Sequence, residues 1–517
     1  MQSISKILPF CAAALWILPQ SSQAVDIEGT FTSDSAFPVS VTDPSFYTLD
    51  GEAYSGEIDS DTNLTVNGIL SSTPSHNIIT VAASSTTAGN FTYNLELPAD
   101  FWSKNVFEVY TPITFSVENF TLNLRESATM HPNLIIYTGA AGSALRVRGD
   151  FLFSDTRSST NWYQTRLSFI GKENGNVTID GNFTINSQIP NPSRHASNGV
   201  NFEVGIQTFT VGGVLSLSNS NGNNNVFRTT ATSAGTFTRS LGGLQITQRG
   251  MIQLAGNASA VNTTELILTN SGTSEYNGGL LTRDSDGELA DNKLNVRMTA
   301  SDAANGRQIM RFNTTSGWTL DNNVYSDAAN ALNEVEVSSG RLDLGMYGGM
   351  KGGRLMIMGS NRPSEAVFSA TGTAADTEIG RVTFDTMSFY RGTVVFDLAK
   401  TDGDFIQVDG AMTKVAGASP LALELNVSAY DLQAWIEDSE SDGWSADLMS
   451  FATDGSNVSA DDFTLKLQDG IAGKISISEL DGISTITANL SIVPEPAAVA
   501  ALIGAFAFCA AARRRRK

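Results

Sequence analysis

Cysteine is nearly absent from this 517-residue chain: there are two, Cys11 and Cys509, and each lies in a terminal segment unlike the rest. A body without thiols excludes disulfide stapling, Cys-based zinc sites, thiol nucleophiles and thiol redox chemistry. Histidine is almost as scarce. His76, His131 and His195 stand far apart with no H-x-x-x-H or H-E-x-x-H spacing, so metal hydrolysis and Ser-His-Asp catalysis lack their usual residues. Lys and Arg number 32 against 53 Asp and Glu, a net charge of −21. Lys6 and the five terminal cations belong to the end segments, so the body between them is more acidic still. Such a surface repels phosphate backbones, which bind through Lys and Arg, and nucleic acid is excluded as a partner. Charged residues make up only 16% of the chain and hydrophobic ones 41%, which also excludes a disordered acidic chain. Glycine-rich phosphate loops are missing, and neither a cofactor nor a metal is expected.

What is present is β-type patterning from Val25 to Ile492. Asp-Gly occurs nine times and Asn-Gly six times, and these dipeptides favour positive φ and tight turns. Between them lie period-2 pairs such as Leu145/Val147, Val177/Ile179, Phe183/Ile185, Leu342/Leu344, Val394/Phe396/Leu398 and Ile475/Ile477. Helical spacing is confined to Leu432, Trp435 and Ile436, enough for two or three turns. In the segment 177–185 a two-residue Asp180-Gly181 hairpin would pair Ile179 with Asn182 and scramble the faces. A three-residue hairpin loop, or a bend at Gly181 within one turn of a solenoid, keeps Val177, Ile179, Phe183 and Ile185 on one side. Strand clusters return at intervals of about 20–30 residues across 120–360, the range of stacked repeats, with no fixed motif recurring. The expected fold is mainly β: a parallel β-solenoid (β-helix-like) body with a sandwich-like or irregular β region at each end, plus a C-terminal hydrophobic transmembrane helix. The expected divisions are a signal peptide at 1–24, an N-terminal β region or cap at 25–119, the body at 120–364, a C-terminal β region at 365–492 and a sorting tail at 493–517.

The ends carry the most specific signals. Residues 1–24 have a cation at Lys6, an apolar stretch from Ile7 to Leu18 and small residues before a cut between Ala24 and Val25, the plan of a secretory signal peptide. At the other end Val493-Pro494-Glu495-Pro496 precedes sixteen uncharged residues, Ala497 to Ala512, and then Arg513, Arg514, Arg515, Arg516 and Lys517. As a helix the apolar run is about 24 Å long, short of a hydrocarbon core of about 30 Å by an amount that snorkelling and thinning accommodate. The cations form a cytoplasmic anchor under the positive-inside rule, leaving the body outside the inner membrane. This order of elements resembles the PEP-CTERM sorting signal of Gram-negative bacteria. The resemblance implies that Pro494, Glu495 and Pro496 are recognised by an exosortase-type membrane protease. It further implies that the protein passes from the inner membrane to the cell surface or an extracellular polysaccharide matrix. Two prolines around a glutamate keep that backbone extended just outside the bilayer.

A second resemblance lies in residues 368–410. Phe368-Ser-Ala-Thr-Gly-Thr, Ile379-Gly-Arg-Val-Thr-Phe384, Gly392-Thr-Val-Val-Phe-Asp-Leu398 and Asp404-Phe-Ile-Gln-Val-Asp-Gly410 follow in the order seen in the last coils of autotransporter-type passenger β-helices. No outer-membrane barrel follows them.

Enzymatic alternatives have weaker footing. Thr401-Asp402-Gly403-Asp404 resembles the Asn-Thr-Asp motif of polygalacturonases, whose paired carboxylates perform acid/base hydrolysis. That family's Gly-His-Gly and Arg-Ile-Lys strings are missing, and Asp402-Gly403 reads as a turn. Arg146, Arg148 and Lys172 are available as lyase-type bases, but no spacing selects them. Asp438-Ser-Glu440-Ser-Asp442-Gly443 has the start of a calcium loop, yet position 12 is Met449 in place of Glu. Asp59-Ser-Asp61-Thr-Asn63 begins similarly, with Gly68 out of place. Trp102, Trp162, Trp318, Trp435 and Trp444 read as core, and Gly212-Gly213 and Gly348-Gly349 as bends. Of eleven Asn-x-Ser/Thr triplets, including Asn90, Asn182, Asn313 and Asn457, many follow from an Asn/Thr-rich composition alone. The sequence thus points to a non-enzymatic exported surface or matrix protein, structural or adhesive, with exopolysaccharide as a further partner. A β-helix enzyme that binds or degrades polysaccharide, a lyase or glycoside hydrolase, is the alternative.

Overall fold

A computed structural model describes residues 24–493 apart from short segments between strands. The described residues are mainly β, with one α-helix, and all but two short strands join a single sheet system. The signal segment up to residue 23 and the tail from residue 494, with the expected membrane helix, lie outside the described residues, as do both cysteines and all three histidines. No helix among the described residues is long and apolar enough to cross a membrane.

Strands pair in parallel with strands about 30 residues away, and three such ladders run side by side. The first starts with Val25–Thr32 on Thr62–Ile69 and continues through Phe91–Glu96, Phe120–Arg125, Phe151–Asp155 and Phe183–Ser187. The second runs through Ile79–Val81, Ser103–Val109, Asn133–Thr138, Thr165–Gly171 and Asn198–Val204. Thr114–Val117, Ala144–Val147, Asn176–Ile179 and the start of Thr208–Asn219 build the third. Parallel pairing therefore already organises residues 25–119, where the sequence suggested a sandwich-like or irregular end. The variable loops between those strands hid their common register.

The inward residues explain why the rows stack. Phe91, Phe120, Phe151 and Phe183 are direct register partners and fully buried. Their ring centroids lie 4.9, 4.6 and 4.8 Å apart in succession. Phe107, Phe115, Phe169, Phe202 and Phe209 from the other two ladders close against them. Each buried ring contributes on the order of 1.5–3 kcal/mol, so this column is a principal source of stability in a body without disulfides.

Segment 177–185 is a bend. Asn176–Ile179 and Phe183–Ser187 do not pair with one another; each pairs with the rows before and after, and all four apolar side chains are buried. The hairpin alternative therefore fails. Gly181 is required by close approach of the neighbouring row, since a Cβ there would lie 2.6 Å from the Gly149 carbonyl oxygen. The bend read at Gly212-Gly213 obeys the same constraint: a Cβ on Gly212 would lie 2.3 Å from the Asp180 carbonyl oxygen. Gly349 has a φ of +78°, whereas Gly348 lies outside the described residues.

The dipeptide rule holds in part. Asp50-Gly51 and Asp481-Gly482 have positive φ at both positions and make true two-residue hairpins. Asn67-Gly68, Asn277-Gly278 and Asp409-Gly410 instead lie inside strands. At Gly278 an added Cβ would fall 1.8 Å from the Gly250 carbonyl oxygen, so packing selects this glycine.

The helix is Ala429–Ser439, capped by Ser428, whose hydroxyl oxygen accepts from the Asp431 N–H at 3.0 Å. Leu432 is buried and Trp435 lies 5.1 Å from the Trp444 ring. Beyond it the pairing changes sense. Trp444–Ala452, Ile483–Ile492 and Ile471–Leu480 form an antiparallel end, with Trp444–Ala452 still joined in parallel to Phe405–Lys414. Ile475 and Ile477, on the outermost strand, are only half-buried.

Candidate functional site

The residues singled out for chemistry do not converge. Arg146 forms an exposed ion pair with Asp180 at 2.8 Å, while Arg148 is exposed and Lys172 lies outside the described residues. Asp438 pairs with Lys400 at 2.5 Å, and Glu440 is the left-handed C-cap of the helix. The Asp59 carboxylate accepts from the Asp61 N–H at 3.0 Å and from the Thr62 hydroxyl at 2.9 Å, so it closes its own turn. Among the described residues no group of three or more His, Cys, Asp and Glu is placed to hold a metal. Trp435 and Trp444 pack against the core; Trp102, Trp162 and Trp318 lie outside the described residues. So do the sorting residues Pro494, Glu495 and Pro496 and the anchor Arg513 to Lys517. Ala24 and Val25 are exposed, and Val25 opens the first strand.

Carboxylates meet on the surface, where Asp385 and Asp409 share Lys351 at 2.5 and 2.8 Å, and in the interior at a place that the sequence only half indicated. Asp402 pairs with Arg381 on the surface at 2.7 Å, but Asp404, two residues on, is fully buried. Its Oδ1 accepts from the Gly380 N–H at 2.6 Å and its Oδ2 from the Asp397 N–H at 2.9 Å. Burial pushes the Asp404 carboxyl up to about 7; the two N–H donors oppose this, and the Asp397 and Asp343 charges add to it. Asp343 is itself buried and held by Arg307 at 2.7 Å and Arg341 at 2.8 Å. Asp397 accepts from the Asn426 amide at 2.6 Å. The group locks the corner between the strands Thr393–Asp397 and Phe405–Lys414, and none of the three carboxylates faces solvent.

The lock has a pH signature. Folded Asp404 retains its proton from about pH 4 to about 7, where the unfolded chain has lost it, so stability falls as pH rises across that window. Carboxylates held low, such as Asp402, Asp409 and Asp462, act in the opposite sense. Comparison with Asp404→Asn isolates the effect. The stability of the parent relative to this variant is expected to fall by roughly 2–4 kcal/mol between pH 4 and 7, read from urea midpoints.

The most regular polar feature is the outer face of the first ladder. Asn63-Leu-Thr-Val-Asn67, Asn90-Phe-Thr-Tyr-Asn94, Asn119-Phe-Thr-Leu-Asn123 and Asn182-Phe-Thr-Ile-Asn186 are one motif repeated. The expectation that no fixed motif recurs is thereby corrected. The rows are 27 to 32 residues apart, with Asp150-Phe-Leu-Phe-Ser154 as a variant copy, and this drift conceals the repeat from a search at one period. In each copy the second and fourth residues point inward and the other three outward. The Asn119 amide donates to the Asn90 side chain at 2.8 Å and the Asn90 amide to Asn63 at 3.1 Å. Two residues along, Asn123 donates to Asn94 at 2.9 Å, Asn94 to Asn67 at 2.8 Å, and Asn67 to Glu28. Four of the Asn-x-Thr triplets are thus ladder positions. At another triplet Asn457 is engaged on both sides, accepting from the Lys414 N–H at 2.6 Å and donating to the Lys414 carbonyl.

Compared with protein-family models, with curated proteins and with solved structures, the chain matches none.

Proposed function

We propose that this protein is an exported, non-enzymatic β-solenoid that serves a structural or adhesive role at the cell surface or in the extracellular matrix. A PEP-CTERM-type tail, processed by an exosortase, would deliver it there. The observation that carries the solenoid reading is the triple set of parallel ladders, with one strand of each ladder contributed per repeat and a continuous apolar interior. Export and sorting rest on the two terminal sequences. The non-enzymatic reading is supported by the burial of the carboxylate group Asp343, Asp397 and Asp404, whose partners are backbone N–H groups, arginines and an asparagine. A glycoside hydrolase needs its acid and base open to substrate; the exposed carboxylates Asp385 and Asp409 do meet, but both are paired to the Lys351 ammonium, at 2.5 and 2.8 Å.

The test is intact mass and cell fractionation in a host that contains an exosortase. The parent is expected to lose its tail and leave the inner membrane, and a Pro494→Ala/Glu495→Ala/Pro496→Ala variant to keep both tail and membrane association. An uncut tail in both proteins, with both retained in the membrane, overturns the sorting reading.

A further inference from the structure

We propose that the outer face of the first ladder, over rows 62–69, 91–96 and 120–125, binds an uncharged polysaccharide chain. This deepens the surface reading above by assigning a partner to one face. Thr65, Thr92 and Thr121 are successive register partners, point outward and are half-buried, and their hydroxyls make no hydrogen bond to the described residues. Adjacent strands place these hydroxyls about 4.8 Å apart, and the flanking Asn67, Asn94 and Asn123 lie about 6.8 Å along each strand. The result is a flat lattice of hydroxyls and amides.

The asparagine column is fixed before any ligand arrives. A primary amide has two N–H donors and two acceptor lone pairs, and Asn94 uses one of each within its column. One donor and one lone pair therefore remain on a side chain whose rotamer is already held, so little ordering cost accompanies binding. Charge stands in the flanking rows and at the strand ends: Asp26 and Glu28 in the row before, Asp150 in the row after, and Glu96 opposite Arg125. A lattice that offers paired donors and acceptors without charge complements the hydroxyls of a neutral sugar polymer. A polyanion would meet no array of cations here, on a chain of net charge −21. Each row contributes little, so affinity depends on several rows engaging one chain.

The experiment uses the protein as recovered from the exporting host. The probes are insoluble β-1,4-glucan, soluble galactomannan, polygalacturonate and a short oligosaccharide from the galactomannan. The neutral polymers are expected to bind, with the oligosaccharide and polygalacturonate far weaker. Thr65→Val/Thr92→Val/Thr121→Val keeps shape and strand preference while removing the hydroxyls, and is expected to weaken polymer binding at least tenfold with an unchanged thermal midpoint. Thr178→Val/Thr210→Val, on the outer face of the third ladder, is expected to bind like the parent. Absence of binding to both neutral polymers, equal binding of polygalacturonate, or equal loss in the two variants overturns the proposal. So does a triple variant that binds normally, or one whose altered property in sedimentation is self-association alone. None of these readouts depends on tail cleavage, so failure here is distinct from failure of sorting.

Discussion

Arg157→Met is expected to destabilise the protein by about 3–5 kcal/mol, because it strands a carboxylate in the interior. Arg157 and Asp155 are both 0% exposed at the side chain, with Nε to Oδ1 at 2.8 Å and Nη2 to Oδ2 at 2.7 Å. Asp155 continues an inward column that is Leu124 in the row before and Ser187 in the row after, so a charge occupies a position otherwise filled by leucine or a hydroxyl. The guanidinium satisfies both carboxylate oxygens in a fork geometry that lysine cannot reproduce. Urea unfolding of Arg157→Met, Asp155→Leu and the double variant measures the coupling. The double variant is expected to recover about half or more of the single loss, since paired removal leaves no lone charge. A single variant within 1 kcal/mol of the parent would show that the pair is solvated, contrary to its burial.

Phe151→Ala should cost about 3–5 kcal/mol and act on both neighbouring rows. The Phe151 ring stacks on Phe120 at 4.6 Å with an interplanar angle of 7° and meets Phe183 edge-on at 4.8 Å. Removing it opens a cavity that close-packed rows on either side cannot fill. Phe151→Leu, which conserves most of the volume, is expected to cost about 1.5 kcal/mol or less. On the solenoid reading proposed above, stability resides in nearest-neighbour interfaces, so the alanine variant should also raise amide exchange in 120–125 and 183–187 more than in 405–414. Uniform exchange throughout the chain would instead indicate one global unfolding unit.

Much of the architecture was legible because strand alternation is a local property. Val177, Ile179, Phe183 and Ile185 had to share a face whichever way the chain turned, and the short amphipathic run around Leu432 and Trp435 had to be a helix. The literal repeat was not legible from 120 onward: two of its clearest copies, at Asn63 and Asn90, lie before that window, and loops of different length shift each later copy. Asp-Gly and Asn-Gly misled at Gly68, Gly278 and Gly410 for a related reason. A glycine chosen for positive φ and one chosen for close approach of a neighbouring row look alike in sequence. Asp404 could not be told from Asp402, because two residues in one turn differ only in which side of the corner they face.

By itself the sequence determined an acidic, mainly β body without cysteine between Val25 and Ile492, since composition and strand alternation are readable without knowing any long-range contact. Tertiary structure alone decided which strands became neighbours, which asparagines aligned into ladders and which charges were buried. Those outcomes depend on register between residues about 30 positions apart. A one-residue slip would turn the phenylalanine column to solvent and the threonine and asparagine columns inward. The register is held by stacked rings and amides, and so it was settled only when the rows came together.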